Sequence, residues 1–196
     1  MRTQESPSPC QHQEPKRSQA LGAGTSRGQA WGSHLPRAAG RRPLRDYAGA
    51  WADLETSLAN LHTSSLDLWQ IHDLRTEEDL KTLEGSSGAL DAFLEAKRQG
   101  KVRRIGVTGH EDPAILTRAV ESWPVDSVLV PVNPIEGILG GFLDQTIPAA
   151  VKKGIAVIGM KVLGRGTYLA SQGGITPELL IRYALSQPVT LVIVGC

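Results

Sequence analysis

Cysteine is nearly absent. Cys10 and Cys196 are the only two in 196 residues, and they stand near opposite ends. That excludes a disulfide framework and the paired Cys spacing of a zinc site, so a reducing compartment is expected. No apolar run approaches the roughly 20 residues that a membrane helix needs. An excess of one charge is also missing: 21 Lys+Arg stand against 20 Asp+Glu, a formal net of +1. No overall basic field recommends nucleic acid as a partner. No predicted strand is followed by Gly-x-Gly-x-x-Gly with an acid about 20 residues on, which argues against a Rossmann dinucleotide site.

The near-zero net charge hides two unlike parts. Residues 1–45 carry 8 Lys+Arg and 2 Asp+Glu, a net of +6, and 46–196 carry the remaining 13 and 18, a net of −5. The first part holds five each of Pro, Gly, Ser and Gln, and its only large aliphatics are Leu21, Leu35 and Leu44. Such a segment cannot bury enough apolar surface to offset its chain entropy, so 1–45 is expected to be a disordered basic tail. It lacks the apolar h-region of a secretory signal. Its Arg-rich, acid-poor composition is shared with transit peptides, but scattered Pro and Gly argue against an amphipathic targeting helix.

From Asp46 onward strands and helices alternate. Trp51, Leu54, Leu58 and Leu61 form one helical stripe, and Leu66 to His72 alternates as a strand. A helix with Leu90, Phe93 and Leu94 ends in Lys97, Arg98 and Gly100, a basic last turn and a C′ glycine. Arg104 to Thr108 is a strand, and Asp112-Pro113 opens the next helix as N-cap and N1. Val125 to Val132 is an almost unbroken apolar strand. The helix ending at Lys152-Lys153-Gly154 must hold Pro148 in its first turn or kink there. Ile155 to Met160 is a strand, Thr176-Pro177-Glu178 caps a helix through Ser186, and Val189 to Val194 is the last strand.

Five strands so spaced, each a crossover helix apart, indicate parallel pairing. Their Val and Ile content indicates cover on both faces. The choice lies between a doubly wound sheet and a (β/α)8 barrel. The polar residues decide for the barrel: His72-Asp73, Thr108-Gly109-His110, Asn133 and Lys161 all fall at strand C-termini, the rim where barrels build active sites. A complete barrel takes about 250 residues. The reading is therefore α/β, a partial (β/α)8 TIM barrel of about five βα units over residues 46–196.

Three motifs then carry a resemblance. Leu58-Ala59-Asn60-Leu61 followed by Leu66-Asp67-Leu68-Trp69-Gln70-Ile71-His72, then Gly100 to His110, then Gly159 to Gly166, are similar in content and order to the aldo/keto reductase family. The resemblance covers about 46–196 and implies NAD(P)H-dependent reduction of an aldehyde or ketone, on a barrel whose first half precedes residue 46. Carbonyl reduction needs an acid and preorganised hydrogen bonds at the oxygen that gains charge. The family supplies Tyr, Lys, Asp and His. His72 matches the His, and the other three have no counterpart, so the chain is expected to be truncated and weakly active or inactive.

The same resemblance marks a cofactor side. Thr108 and Gly109 stand where a hydroxyl residue and an Asn hold the carboxamide, and Gly109 brings no side chain. Leu129 stands for a Gln, Met160 for a stacking aromatic, and Lys161 for a small polar residue. Leu163, Gly164, Arg165 and Gly166 form a loop able to approach the pyrophosphate. NADP or NAD is the implied cofactor, with weak binding expected, and a small carbonyl compound the implied substrate. A cytoplasmic protein is expected, with no nucleic acid or membrane partner and with self-association through uncovered barrel edges. Two other readings stay open: a metal-dependent hydrolase using His72, Asp73 and His110, and a non-catalytic half-barrel.

Overall fold

The computed structural model describes residues 29–31, 45–169 and 174–194. In chain order its elements are β1 (Gln29–Trp31), α1 (Tyr47–Asn60), β2 (Leu66–Ile71), α2 (Glu77–Glu84), α3 (Ala89–Arg98), β3 (Val102–Thr108), α4 (Pro113–Ser122), β4 (Ser127–Pro131) and α5 (Pro134–Leu139). A π-helical turn at Phe142–Thr146 then leads into α6 (Ile147–Lys152), β5 (Ala156–Met160), a 3-10 turn at Gly164–Gly166, α7 (Pro177–Ser186) and β6 (Leu191–Val192).

All six strands pair in parallel, and their order in the sheet is their order in the chain. A doubly wound sheet reverses its order at a switch point, whereas a singly wound barrel does not. The fold is thus an α/β partial barrel, as the strand-end polar residues indicated.

Helix ends follow the side chains at hand. Asp46 accepts from the Gly49 N–H at 2.8 Å and starts α1. Asp112 accepts from the Ala114 and Ile115 N–H groups, with Pro113 following as the first helical residue. Thr176 accepts from the Leu179 N–H ahead of Pro177. Gly100 takes a φ of 73° just past α3, where the left-handed cap conformation favours glycine. Pro148 sits in the first turn of α6. Lys153, just beyond α6, donates to the carbonyls of Val120, Glu121 and Trp123, and so satisfies the end of α4.

The two faces of the sheet differ in chemistry. Trp69, Ile71, Ile105, Val107, Val128, Val130 and Val157 face the helices and belong to one continuous buried cluster. Trp69 is fully buried and stacks on Phe93 of α3, with ring centroids 3.5 Å apart. The alternate residues face the barrel interior. Here Gln70, Gly106 and Ser127 lie side by side in register. The Gln70 amide and Ser127 hydroxyl have no hydrogen-bond partner among the described residues. One face is therefore a hydrophobic core, and the other buries Gln70 and Ser127 beside Leu129 and Ile158.

Several expectations need correction. A strand occurs at Gln29–Trp31, within the segment read as a tail without strands; it is held by pairing with Leu68–Gln70, a tertiary contact that composition does not report. The rest of 1–44 lies outside the described residues. Arg45, placed in that tail, is tied into the fold. Leu61 is not part of the buried face of α1: the helix stops at Asn60 and Leu61 is 49% exposed. Trp51 is half-buried rather than core, and stacks on Tyr47 at 5.7 Å. The last strand covers only Leu191–Val192. Two helices, α2 and α5, were not anticipated. Among the described residues no helix is long and apolar enough to cross a membrane.

Candidate active site at the strand C-termini

β2 ends at Ile71, and the chain turns sharply at His72-Asp73. Asp73 has a φ of 60°, in the left-handed region that Asp tolerates better than most side chains. Three contacts fix this turn. The Asp73 N–H donates to Thr108 Oγ1 at 2.8 Å. Arg45 donates from Nη1 to the His72 carbonyl at 2.9 Å and from Nη2 to the Asp73 carbonyl at 2.7 Å. Arg45 is itself anchored, its Nε 3.2 Å from Asp79 Oδ1. Asp79 completes a capping box with Thr76 at the start of α2. His72 is half-buried at the end of the row that contains Gln70.

The Asp73 carboxylate is the electrostatic centre of this corner. Its Oδ2 lies 2.6 Å from Arg75 Nε and 2.5 Å from Arg75 Nη2. Arg75 Nη1 reaches Glu111 Oε1 at 3.0 Å. His110 Nε2 stands 3.1 Å from Asp73 Oδ1, off the line of a hydrogen bond. Burial pushes the carboxyl up, but the Arg75 hydrogen bond and the charges of His110, Arg75 and His72 outweigh it and hold Asp73 below its ordinary value of 3.8. His72, Asp73 and His110 therefore do not converge on a metal. Arg75 takes up Asp73 Oδ2, and among the described residues no group of three His, Cys, Asp or Glu is placed to hold a metal ion.

Thr108 closes β3 with its hydroxyl turned to the Asp73 amide. Gly109 donates its N–H to the Leu129 carbonyl at 3.3 Å. A Cβ at Gly109 would meet the Leu74 carbonyl oxygen at 2.9 Å and both Leu116 methyls at 3.2 Å. The position points into packing, and its amide is engaged by the Leu129 carbonyl.

A second corner forms at the end of β5. Lys161 has a φ of 53° and is half-buried. Its carbonyl accepts from Asn133 Nδ2 at 3.3 Å and from the Gly164 N–H at 3.0 Å. Asn133 Oδ1 also accepts from the Ile135 and Glu136 N–H groups, so it joins the start of α5 to Lys161. Burial and the neighbouring Arg165 charge push the Lys161 ammonium down, against the opposing pull of Glu136, Asp73 and Glu111. Burial pushes Glu136 up, and Lys161 opposes it. In the following loop Leu163 is half-buried against the core. Gly164 has a φ of 55°, and a Cβ there would sit 2.2 Å from the Tyr168 ring. Arg165 is exposed and takes a φ of 56°.

The residues expected to hold a nicotinamide dinucleotide thus fit it unevenly. Lys161 and the exposed Arg165 both follow β5, and cations there suit an anionic group. The carboxamide end fits poorly, because Gly109 has no room for a side chain and Leu129 is a buried hydrocarbon. The structure gathers His72, Thr108 and His110 at one corner and Lys161, Leu163, Gly164 and Arg165 at the other. Arg45, Arg75, Asp79, Glu111 and Glu136 were not anticipated. Only Asp79 had a sequence signal, the Thr76-x-x-Asp79 spacing of a capping box.

Comparison with known proteins places these features. The aldo/keto reductase family model matches residues 39–177. Similar solved structures include the holo form of an aldo-keto reductase from Bacillus halodurans, with TM-score 0.59 and 19% identity, covering 77% of this chain and 55% of that one. A thermostable aldo-keto reductase in complex with the inhibitor epalrestat gives TM-score 0.58 and 23% identity, covering 85% and 59%. An aldo-keto reductase from a Medee basin deep-sea metagenome library gives 0.58 and 18%, covering 84% and 58%. The chain spans somewhat more than half the length of each. No curated protein matches.

Proposed function

The chain belongs to the aldo/keto reductase family, and from that premise we propose that it acts in NAD(P)H-dependent reduction of a small aldehyde or ketone. One observation carries this reading: His72 and Lys161 stand just past the C-terminal ends of β2 and β5, strands of one parallel sheet. Barrels place substrate and phosphate groups at that edge.

The roles divide between the two corners. Lys161, Arg165 and the backbone of Leu163 to Gly166 would take the anionic part of a dinucleotide. The cofactor, when bound, supplies hydride. His72, held by Arg45 through its carbonyl, directs a hydrogen bond to the substrate oxygen. Thr108 fixes the Asp73 turn that adjoins His72. Weak cofactor binding is the expectation, because Gly109 and Leu129 offer no side-chain contact to the carboxamide. A cytoplasmic setting fits a sequence with only two cysteines, one near each end.

A second reading, a non-catalytic barrel segment, is favoured by the packed surroundings of Gly109. Calorimetric titration with NADPH and NADH, followed by an absorbance assay with a panel of small aldehydes, separates the two. The reductase reading expects binding weaker than low micromolar (about −8 kcal/mol), with turnover that falls in His72→Ala while affinity stays within twofold. Absence of binding by either nucleotide overturns it.

A further inference from the structure

Lys161 differs from every other described lysine. Lys97 is bound to Asp126, Lys101 to Glu55 and Lys153 to three carbonyls, while Lys81 and Lys152 are exposed. Lys161 is half-buried, yet its Nζ forms no hydrogen bond or ion pair with a described residue. Nor does Nζ belong with the buried side-chain atoms that lack a partner, so a small solute reaches it from water. The backbone beneath it is firmly set. Lys161 takes a φ of 53°, a conformation that side chains of this kind rarely adopt unless their surroundings impose it. The Asn133 side-chain amide and the Gly164 N–H hold its carbonyl at 3.3 Å and 3.0 Å. The residue stands just past β5, on the edge where parallel barrels gather their reacting groups. Burial and then the Arg165 charge push its ammonium down, while Glu136, Asp73 and Glu111 pull the other way. Desolvation and a neighbouring cation are the two means by which a lysine is activated as a nucleophile toward carbonyl compounds, and Lys161 has both.

We propose that Lys161 captures small aldehydes as an imine at the C-terminal edge of the sheet, a covalent activity separate from hydride transfer. The Nζ lone pair forms a bond to the carbonyl carbon, and the C=O π pair moves to oxygen. That oxygen takes up, by way of water, the proton that the nitrogen sheds. In the resulting carbinolamine the C–O bond breaks, and the hydroxyl leaves as water with a proton from solvent. The nitrogen lone pair completes the C=N bond, and the remaining N–H proton returns to solvent. One amine and one aldehyde give one imine and one water, with nothing oxidised or reduced. No nicotinamide takes part, so the inference goes beyond the reductase reading and does not rest on it.

The test uses the full 196-residue chain without nucleotide, mixed with butanal and sodium cyanoborohydride at neutral pH. The reductant converts each imine to a stable secondary amine, and peptide mapping by mass spectrometry reads every lysine and the N-terminal amine separately. Lys161 should be alkylated about tenfold faster than the exposed Lys81 and Lys152. Lys161→Arg should lose the fast adduct. Arg165→Gln removes the neighbouring cation; it should slow alkylation of Lys161 and move the midpoint of its pH dependence upward, while Lys81 and Lys152 react as before. A merely exposed amine would show no such shift. Alkylation of wild-type Lys161 no faster than that of Lys81 and Lys152 overturns the assignment, and so does a pH dependence that Arg165→Gln leaves in place. The wild-type comparison needs no variant, so a misfolded mutant does not excuse its failure. The assay contains no nucleotide, so its result is independent of NADPH binding.

Discussion

Arg45 Nη1 donates to the carbonyl of His72 at 2.9 Å, so a residue 27 positions earlier sets the backbone that carries the candidate site histidine. The same guanidinium holds the Asp73 carbonyl and faces Asp79, with the Arg and Asp side chains only 10% and 5% exposed. Removing one partner of a buried ion pair costs about 3–5 kcal/mol, because the other charge stays buried without its counter-ion. Arg45→Ala should therefore lower unfolding free energy by about 3 kcal/mol in urea titration. Arg45→Lys should recover little of it, since an ammonium cannot span two carbonyls and a carboxylate as a planar fork does.

The Asp73 carboxyl predicts an acid-sensitive component of stability. Its folded pKa lies below the ordinary 3.8, because Arg75 and the nearby cationic groups overcome the cost of burial. A group shifted this way binds protons more readily when unfolded. Its contribution is fully present above the unfolded value and is lost as pH falls through the folded one. Unfolding free energy followed from pH 7 downward should decline below about pH 4. In Asp73→Asn that decline should be shallower, so the gap between the two proteins narrows as pH drops.

The barrel was legible in the sequence because its strands announce themselves: runs such as Val128-Leu129-Val130 and Ala156-Val157-Ile158 can only be covered on both faces. The rim was legible because His72, Thr108 and Lys161 are polar residues ending apolar strands. The three-residue β1 was not, since its pairing with Leu68–Gln70 is a tertiary event in a segment of unsuitable composition. Helix α2 hides its two buried leucines, Leu80 and Leu83, among charges. Sequence order also placed His72, Asp73 and His110 together without revealing that Arg75 claims the carboxylate. That claim turns a candidate metal set into an ion-pair network.

Gly109 makes a substitution that the family pattern recommends a harmful one. A Cβ there meets a backbone carbonyl oxygen at 2.9 Å and two Leu116 methyls at 3.2 Å, and the carbonyl cannot rotate away as a flexible side chain could. Gly109→Asn should lose about 1–3 kcal/mol, the usual cost of overpacking, seen as a lower denaturant midpoint. NADPH affinity should not improve. A stable variant with tighter binding would show that the loop after β3 repacks to present the amide.

Lys161 is expected to be costly to the fold and useful to the site. It sits half-buried at a φ of 53°, beside Arg165, and its charged form is disfavoured by burial and by that neighbour. Lys161→Met keeps the stem and removes the ammonium. Stability should rise slightly, because the partly desolvated charge is lost and solvent screens its interaction with Glu136. The gain should shrink at high pH, where wild-type Lys161 is neutral: a group with a lowered folded pKa releases its proton more easily when folded, so wild-type stability climbs as pH rises through that pKa. Affinity for a phosphate-bearing nucleotide should move the other way, weakening about tenfold, or about 1.4 kcal/mol. Thermal melts at neutral and alkaline pH, paired with NADPH calorimetry on the same samples, measure both effects. A variant that is less stable and binds NADPH as wild type does would make Lys161 a structural cation, joined to Glu136 rather than to a ligand.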